Sequence, residues 1–479
     1  MVSGIAMGLC LLYPQFGPAV FVLAVPALVA IQQQTTKKHC FFACALFTAG
    51  LCGAAYFPAF SITVNMEPHY EFWIDLAVYL VLILVHGGIL AFSLWLGYQC
   101  KVPGGFRAVW VALCWAGAEW LLGFGAFAWP TARVSLALWQ YPLFFRSASL
   151  GGQLLVAALI FTVNGLIARG LFYKIPTKKW TCIAAAVALF LANLSFGLAY
   201  PTPASATTSV AVVQPGGQAV NANRGTVYAD CFSLAQQAAS ENPDLIVLPE
   251  GILPSRTNND PTVQAQWGNV AKQGNADLLV GGFRDGISTV IQFDVNGNRK
   301  TEYQKIKEVP FFENGQGKDF TFSQKKHSSV LKVNCGSMGN LICYESMFPS
   351  LARNSVKDGA NLLFVSTNDS WFTANMAKDI HLAHGVYRAV ETGRALVQSS
   401  VDGCSAVVDA AGKITDRLPH KTKGVLQAKV SFDPMNTLYN HIGDWWLILG
   451  MVTILGISFG SEILKRKEKS CHLFSDVVQ

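Results

Sequence analysis

Apolar blocks of membrane-spanning length fill the first 200 residues, and this feature excludes most folds. A helix needs roughly 20 apolar residues to cross the hydrocarbon core of a bilayer. Blocks near 17–33, 39–60, 74–98, 105–125, 148–172, 179–199 and 443–463 reach that length. Residues 1–13 form a shorter run ending at Pro14, which predicts either a further span or half of a re-entrant hairpin. No charged segment precedes that run, so a cleaved signal peptide is not expected. The chain as a whole is 52% hydrophobic and only 14% charged, too apolar for an ordinary soluble protein.

Lys and Arg give the orientation. Lys37 and Lys38 share one loop, Lys101 and Arg107 lie two spans later, and Arg169, Lys174, Lys178 and Lys179 two spans after that. The tail carries Lys465, Arg466, Lys467 and Lys469, on the same side by parity. The alternate loops hold only Arg133 and Arg146. The basic side is therefore expected in the cytoplasm, and the polar domain between the last two spans on the outer face. The net charge of +7 is then mostly a topology signal, and nucleic acid is not an expected partner.

The expected organisation is a multi-span bundle over 1–200, a linker at 201–207 and an outer domain at 208–432. A last span at 441–464 and a basic tail at 465–479 follow. Within the outer domain, apolar runs such as DLIVLPEG, ADLLVGGF, GNLICYES and NLLFVSTND read as buried strands. Helical patterns at 226–241, 347–358 and 379–397 alternate with them, which predicts an α/β domain. Asn296–Gly297 marks a hairpin turn, and SAVVDAAGKI and GVLQAKVSF read as antiparallel strands. Of twelve cysteines, the outer domain holds Cys231, Cys335, Cys343 and Cys404, in no zinc-binding spacing. One disulfide is compatible with an oxidising compartment.

Three chemically active side chains fall at or just after strand ends: Glu250, Lys305 and Cys343. Sites in α/β sheets gather there. A thiolate is both nucleophile and leaving group, so a thioester can hold an acyl group between two substrates. Glu250 is the candidate base, and Lys305 the candidate oxyanion stabiliser with the backbone N–H after Cys343. His381 and His384 form an HxxH without a third ligand, so no metal is expected. Arg388, Glu391 and Arg394 have helical spacing and read as a structural ion-pair face. Trp120 and Trp129 read as interfacial anchors.

LPEG, YQKIKEVPFFE and ICYES, in this order, resemble the Glu–Lys–Cys motifs of the nitrilase superfamily. With seven or eight spans and the domain placed before the last, the chain is similar to the membrane-embedded apolipoprotein N-acyltransferase branch. VSTNDSWF, HLAHGVYRAVETGRAL and EWLLGFGAFAWP extend the likeness over nearly the whole length. It differs at Phe312, where the family has Gly, and at Leu121, Asn223, Arg224, Gln398, Val401 and Asp402.

The resemblance implies a helical membrane bundle joined to an α-β-β-α sandwich. It implies a ping-pong reaction in which Cys343 takes an acyl chain from a phospholipid and passes it to the amine of a diacylglyceryl-cysteine lipoprotein. No cofactor is implied, and a monomer in the bacterial inner membrane is expected. Glu313, Tyr344 and Glu345 are expected to support the triad. Phe311 and Phe312, flanked by Gly315 and Gly317, read as an apolar lid. Trp371 and Phe372 are expected to line the acyl pocket.

Two other classes compete. A membrane-anchored nitrilase-type amidase would pass the acyl group to water. A transporter or sensor would only bind, but Glu119 and Asp75 are the main intramembrane charges, fewer than a transport pathway usually carries.

Overall fold

The computed structural model describes residues 1–58, 72–125, 128–217, 224–310, 313 and 329–475. Phe311 and Phe312, expected to form a lid, and Asn223, where the sequence departs from the family, lie outside these residues.

Among the described residues, five helices are long and apolar enough to cross a membrane: Pro14–Gln32, Lys37–Tyr56, Phe72–Gln99, Ala148–Phe172 and Pro176–Leu198. Val2–Leu12 is shorter, at 11 residues, and packs on Lys37–Tyr56 through Gly4 and Gly8. A Cβ on Gly4 would meet the Phe47 carbonyl, so the close approach requires glycine there. The block expected at 105–125 forms the helix Arg107–Leu121, only 15 residues long. Trp115 stacks on Phe161 at 3.9 Å between ring centroids in the bundle core. Pro14–Gln32 breaks near Ala24, and Asn164 repairs the break. Its amide donates to the Val20 carbonyl at 2.8 Å and accepts from the Ala24 N–H at 2.9 Å.

The polar domain holds two six-stranded sheets. The first contains β1 Thr208–Gln214, β2 Leu245–Val247, β3 Asp277–Arg284, β4 Ile287–Phe293 and β5 Arg299–Gln304. The second contains β6 Val330–Val333, β7 Gly336–Ile342, β8 Leu362–Thr367, β9 Ala395–Ser400, β10 Ala406–Val408 and β11 Ile414–Arg417. The last strand, β12 Gly424–Val430, returns to the first sheet, giving the orders β12-β1-β2-β3-β4-β5 and β11-β10-β9-β8-β7-β6. Each sheet has three parallel central strands and antiparallel edges.

Period-two alternation decides the layers. Leu362 and Phe364 of β8 enter the core between the sheets, with Val210, Val212 and Leu279 opposite. Leu363 and Val365 face the other way, into a core continuous with the bundle. The outer face of the first sheet is covered by the helices Arg224–Ser240 and Pro261–Gly274 through Leu234, Ala235, Trp267 and Val270. This is the expected α-β-β-α sandwich, with its second helical layer clamped between a sheet and the membrane bundle.

That layer corrects one expectation. The helix expected at 379–397 runs Asn375–Thr392 and ends at Gly393, whose φ of 63° is a left-handed cap. The following ALVQSS is β9, buried throughout and paired parallel with β8. A buried strand directly after a helix cap carries the same apolar density as one more helical turn, so periodicity alone did not separate them.

Candidate active site

β7 ends at Ile342, and Cys343 begins a short 3₁₀ turn, Cys343–Met347. Cys343 has φ of 50°, a conformation that costs an L-residue on the order of 1–3 kcal/mol. Glu345, fully buried, holds that turn. One oxygen accepts from the Ile342 N–H at 2.7 Å and the Tyr303 hydroxyl at 2.8 Å. The other accepts from the N–H groups of Ile306 at 2.6 Å and Lys307 at 3.0 Å. Burial pushes the Glu345 carboxyl up, against these backbone donors. One carboxylate thus fastens the Cys343 turn to the segment that carries Lys305.

Lys305 follows β5 and is buried. Its Nζ donates to Glu250 Oε1 at 3.2 Å and to Glu313 Oε1 at 2.6 Å. Burial opposes the ammonium charge, but Glu250, then Glu313 and Cys343, outweigh it and raise the Lys305 pKa well above the ordinary value. Glu250 lies just past β2, and its second oxygen accepts from the Asn368 N–H at 3.2 Å. Glu313 Oε2 accepts from the Val309 N–H at 2.7 Å. Burial first, then the Glu250 carboxylate, push the Cys343 thiol well above its usual range, while Lys305 pulls it down.

Two carboxylates, one ammonium and one thiol give this cluster a formal charge of minus one. Moving the thiol proton to Glu250 leaves that total unchanged. A dry surrounding therefore opposes this transfer far less than ionisation to solvent.

A cavity of about 620 Å³ opens beside the cluster, lined by Glu250, Lys305, Glu313, Asn368 and Trp371, with Tyr228 and Phe283 among the residues opposite. That volume suits a small-molecule or single-chain ligand. The expected pair Trp371 and Phe372 is split. Trp371 is exposed and lines this cavity, whereas Phe372 points into a small gap against Tyr56 and Trp129 of the bundle.

Tyr344 turns towards the bundle. Its hydroxyl donates to the Ala128 carbonyl, and its ring stacks on Trp129 at 5.7 Å. Trp129 is therefore part of a joint between bundle and domain. The four cysteines of the domain are free thiols. Among the described residues, Asp379, Cys404 and His420 lie close enough to share an ion, but Arg417 Nη2 already donates to Asp379 at 2.6 Å.

Residues 209–438 match the family model described as carbon-nitrogen hydrolase, and residues 3–166 match the apolipoprotein N-acyltransferase N-terminal domain. A Gloeobacter violaceus apolipoprotein N-acyltransferase is 28% identical over 96% of this chain and 92% of its own. One from Sinorhizobium medicae is 30% identical over 75% of each chain. The chain belongs to the apolipoprotein N-acyltransferase family. A solved amidase from Nesterenkonia sp. is 20% identical, covers 49% of this chain and 94% of that one, and has a TM-score of 0.38.

In this family member the sequence reading missed a pair directly beneath the thiol. His381 Nε2 lies 3.0 Å from the Cys343 carbonyl and 2.9 Å from Ser346 Oγ. His381 Nδ1 lies 2.6 Å from Asp369 Oδ1. Both side chains are buried, and Ser400 donates to Asp369 Oδ2 at 2.9 Å. Burial opposes a charge on each. The Asp369 carboxylate nevertheless raises the His381 pKa, and the His381 ring holds Asp369 below the usual carboxylate range. His384 takes no part. Burial, then Arg388, keep it neutral, and neither ring nitrogen has a partner among the described residues.

Proposed function

We propose that the protein is a membrane acyltransferase that carries a fatty acyl chain from a phospholipid, through a thioester on Cys343, to the N-terminal amine of a diacylglyceryl-cysteine lipoprotein. The observation that carries the reading is the Lys305 ammonium shared by Glu250 and Glu313 next to a Cys343 turn that is itself joined to the bundle by Tyr344. Glu250 takes the thiol proton as Cys343 attacks the ester carbonyl. Two of the three Lys305 donors are engaged by carboxylates, and the third, with the Tyr344 N–H, meets the oxyanion. Collapse expels the lysophospholipid, whose alkoxide takes the proton from Glu250. The acceptor amine then attacks the thioester and gives a proton to Glu250, and Cys343 leaves as thiolate and takes that proton back.

The catalytic domain faces outward on the Lys and Arg asymmetry. Arg146 fits that side: its side chain donates to the Ala411 and Gly197 carbonyls, and so joins bundle to domain.

The reading is tested by intact-protein mass spectrometry. Incubation with phospholipid should add one fatty acyl mass, sensitive to hydroxylamine. A diacylglyceryl-cysteine peptide should then discharge it, with the acyl group recovered on the peptide amine. An adduct that water removes as fast as the peptide does would instead identify a hydrolase.

Asp369 and His381 act as positioning residues for the Cys343 turn. A raised histidine pKa gives stability that is full below about 6.5 and lost as pH rises through the folded value. A lowered aspartate pKa gives stability that is full above about 3.9 and lost as pH falls through the folded value. The melting-temperature gap between wild type and His381→Gln should therefore be widest between about pH 4 and 6.5 and narrow on both sides. A thermal-unfolding series across pH checks this. A gap that does not vary with pH would mean that the pair is uncharged.

A further inference from the structure

Trp129, which stacks on Tyr344, is itself held from the bundle. Tyr56 ends the helix Lys37–Tyr56 and is 1% exposed. Its hydroxyl donates to the Trp129 carbonyl at 3.1 Å and pairs with Nδ1 of His86, a fully buried residue of the helix Phe72–Gln99. A phenol has one proton and a carbonyl has none. That proton therefore goes to Trp129, and His86 Nδ1–H donates to the Tyr56 oxygen. One residue before Trp129, the Ala128 carbonyl accepts from the Tyr344 hydroxyl. Two adjacent carbonyls are thus pinned, one by the bundle and one by the residue next to the nucleophile.

Tyr56 also backs the other wall of the site. A gap of about 20 Å³, room for about one water, is lined by Tyr56, Trp129, Met347 and Phe372, among others. Met347 ends the Cys343 turn, and Phe372 follows the turn Asp369–Trp371. Asn368, just before that second turn, donates its N–H to Glu250. The end of one membrane helix therefore packs behind the segments that carry the nucleophile and the partner of its base. Replacing two buried polar partners by apolar groups of the same shape is often neutral for stability, so packing alone does not call for a tyrosine–histidine pair here.

We propose that Tyr56, oriented by His86, is a positioning residue for acyl attack: through Trp129 it sets the Tyr344 ring, and with it the Tyr344 N–H that meets the oxyanion. Neither Tyr56 nor His86 lines the cavity beside Cys343. The proposal rests on the reading of Cys343 as the nucleophile, but not on a lipid donor, and it holds for a hydrolase as for a transferase.

The test uses full-length protein in detergent and p-nitrophenyl butyrate. The Cys343 sulfur bonds to the acyl carbon and nitrophenolate leaves, so release of the leaving group and intact mass time the acylation. Tyr56→Phe removes only the hydroxyl. It should lower the maximal acylation rate about tenfold and leave the half-saturating ester concentration unchanged, a smaller loss than the roughly 10²–10³-fold for an oxyanion donor removed outright. His86→Leu, which takes away the donor to Tyr56, should fall between wild type and Tyr56→Phe. Iodoacetamide alkylates the same thiolate by displacement at a saturated carbon, with no oxyanion. Alkylation of the Cys343 peptide should therefore keep its wild-type rate in both variants.

Tyr344→Phe frees the Ala128 carbonyl and should cost a similar factor. The double variant Tyr56→Phe with Tyr344→Phe should be little slower than either alone, whereas independent effects would multiply to about a hundredfold. Unchanged acylation in Tyr56→Phe, an equal loss of acylation and alkylation, or multiplied effects in the double variant overturns the proposal. Wild type that reacts with the nitrophenyl ester but not with phospholipid would overturn the lipid donor and leave Tyr56 in its role. Wild type that reacts with neither overturns both.

Discussion

Cys343→Ala protein will take up no acyl group from phospholipid, and its transfer to a diacylglyceryl peptide will fall to background. Removal of the nucleophile from a cooperating triad costs on the order of 10⁶-fold in turnover. Alanine keeps the Cβ, so the strain at φ of 50° is the same before and after, and the turn stays fastened by Glu345. A folding defect is therefore not the expected cause of the loss. No other thiol of the domain can substitute. Burial pushes Cys335 and Cys404 up to about 12 and holds Cys231 well above the ordinary thiol value, and none of them has the Glu250 and Lys305 pair beside it. Cys343→Ser is the stricter variant, because it keeps a nucleophilic atom in place. A hydroxyl gives up its proton far less readily than a thiol, so this variant should also fail to accumulate an adduct. Intact mass and near-ultraviolet circular dichroism on the same samples separate chemistry from folding. An acyl adduct that persists on the alanine variant would remove Cys343 from the mechanism.

The strand-end position of Glu250, Lys305 and Cys343 was legible because buried parallel strands are unbroken apolar runs that stop where a polar residue appears. The membrane helices were legible for the same reason, on a longer scale. What could not be read is how segments from different parts of the chain meet. Arg133 and Arg146 were counted as loop charges that report orientation. Both prove to bond backbone carbonyls at the seam between bundle and domain, contacts that no local window contains. The segment 379–397 reads as one longer helix, with Arg388, Glu391 and Arg394 as a structural ion-pair face. The helix Asn375–Thr392 is buried from Ile380 on, and Lys378 pairs with Asp402, His381 with Asp369 and Arg388 with Glu391 inside protein. Glu391 in turn accepts from the Gln153 N–H at 2.7 Å, the donor set free where Gly152 breaks its helix with φ of 72°. Asp369, two residues past the end of β8, carried the same strand-end signal as the triad.

Glu250→Gln will slow the acylation of Cys343 by about 10²–10⁴-fold, the range for a lost general base. The amide fills the same space. One of its ends, however, must face either the Lys305 ammonium or the Asn368 N–H, both of which are donors, so part of the loss is geometric. The rest is electrostatic, and its pH dependence identifies it. In wild type the thiol proton has a carboxylate to go to, and the charge of the cluster is conserved. In the variant the thiolate must form by release to solvent. The residual rate should then climb roughly tenfold per pH unit while the thiol remains mostly protonated. The repulsion that Glu250 exerts on the thiolate is also gone, so the Cys343 pKa should fall towards the ordinary thiol value, and the climb should level off earlier than burial alone would set. Single-turnover acylation followed by intact mass at a series of pH values measures both features. A residual rate that stays flat with pH would mean that Glu250 orients Lys305 without accepting the proton. The base would then have to be sought at Glu313, the other carboxylate on the same ammonium.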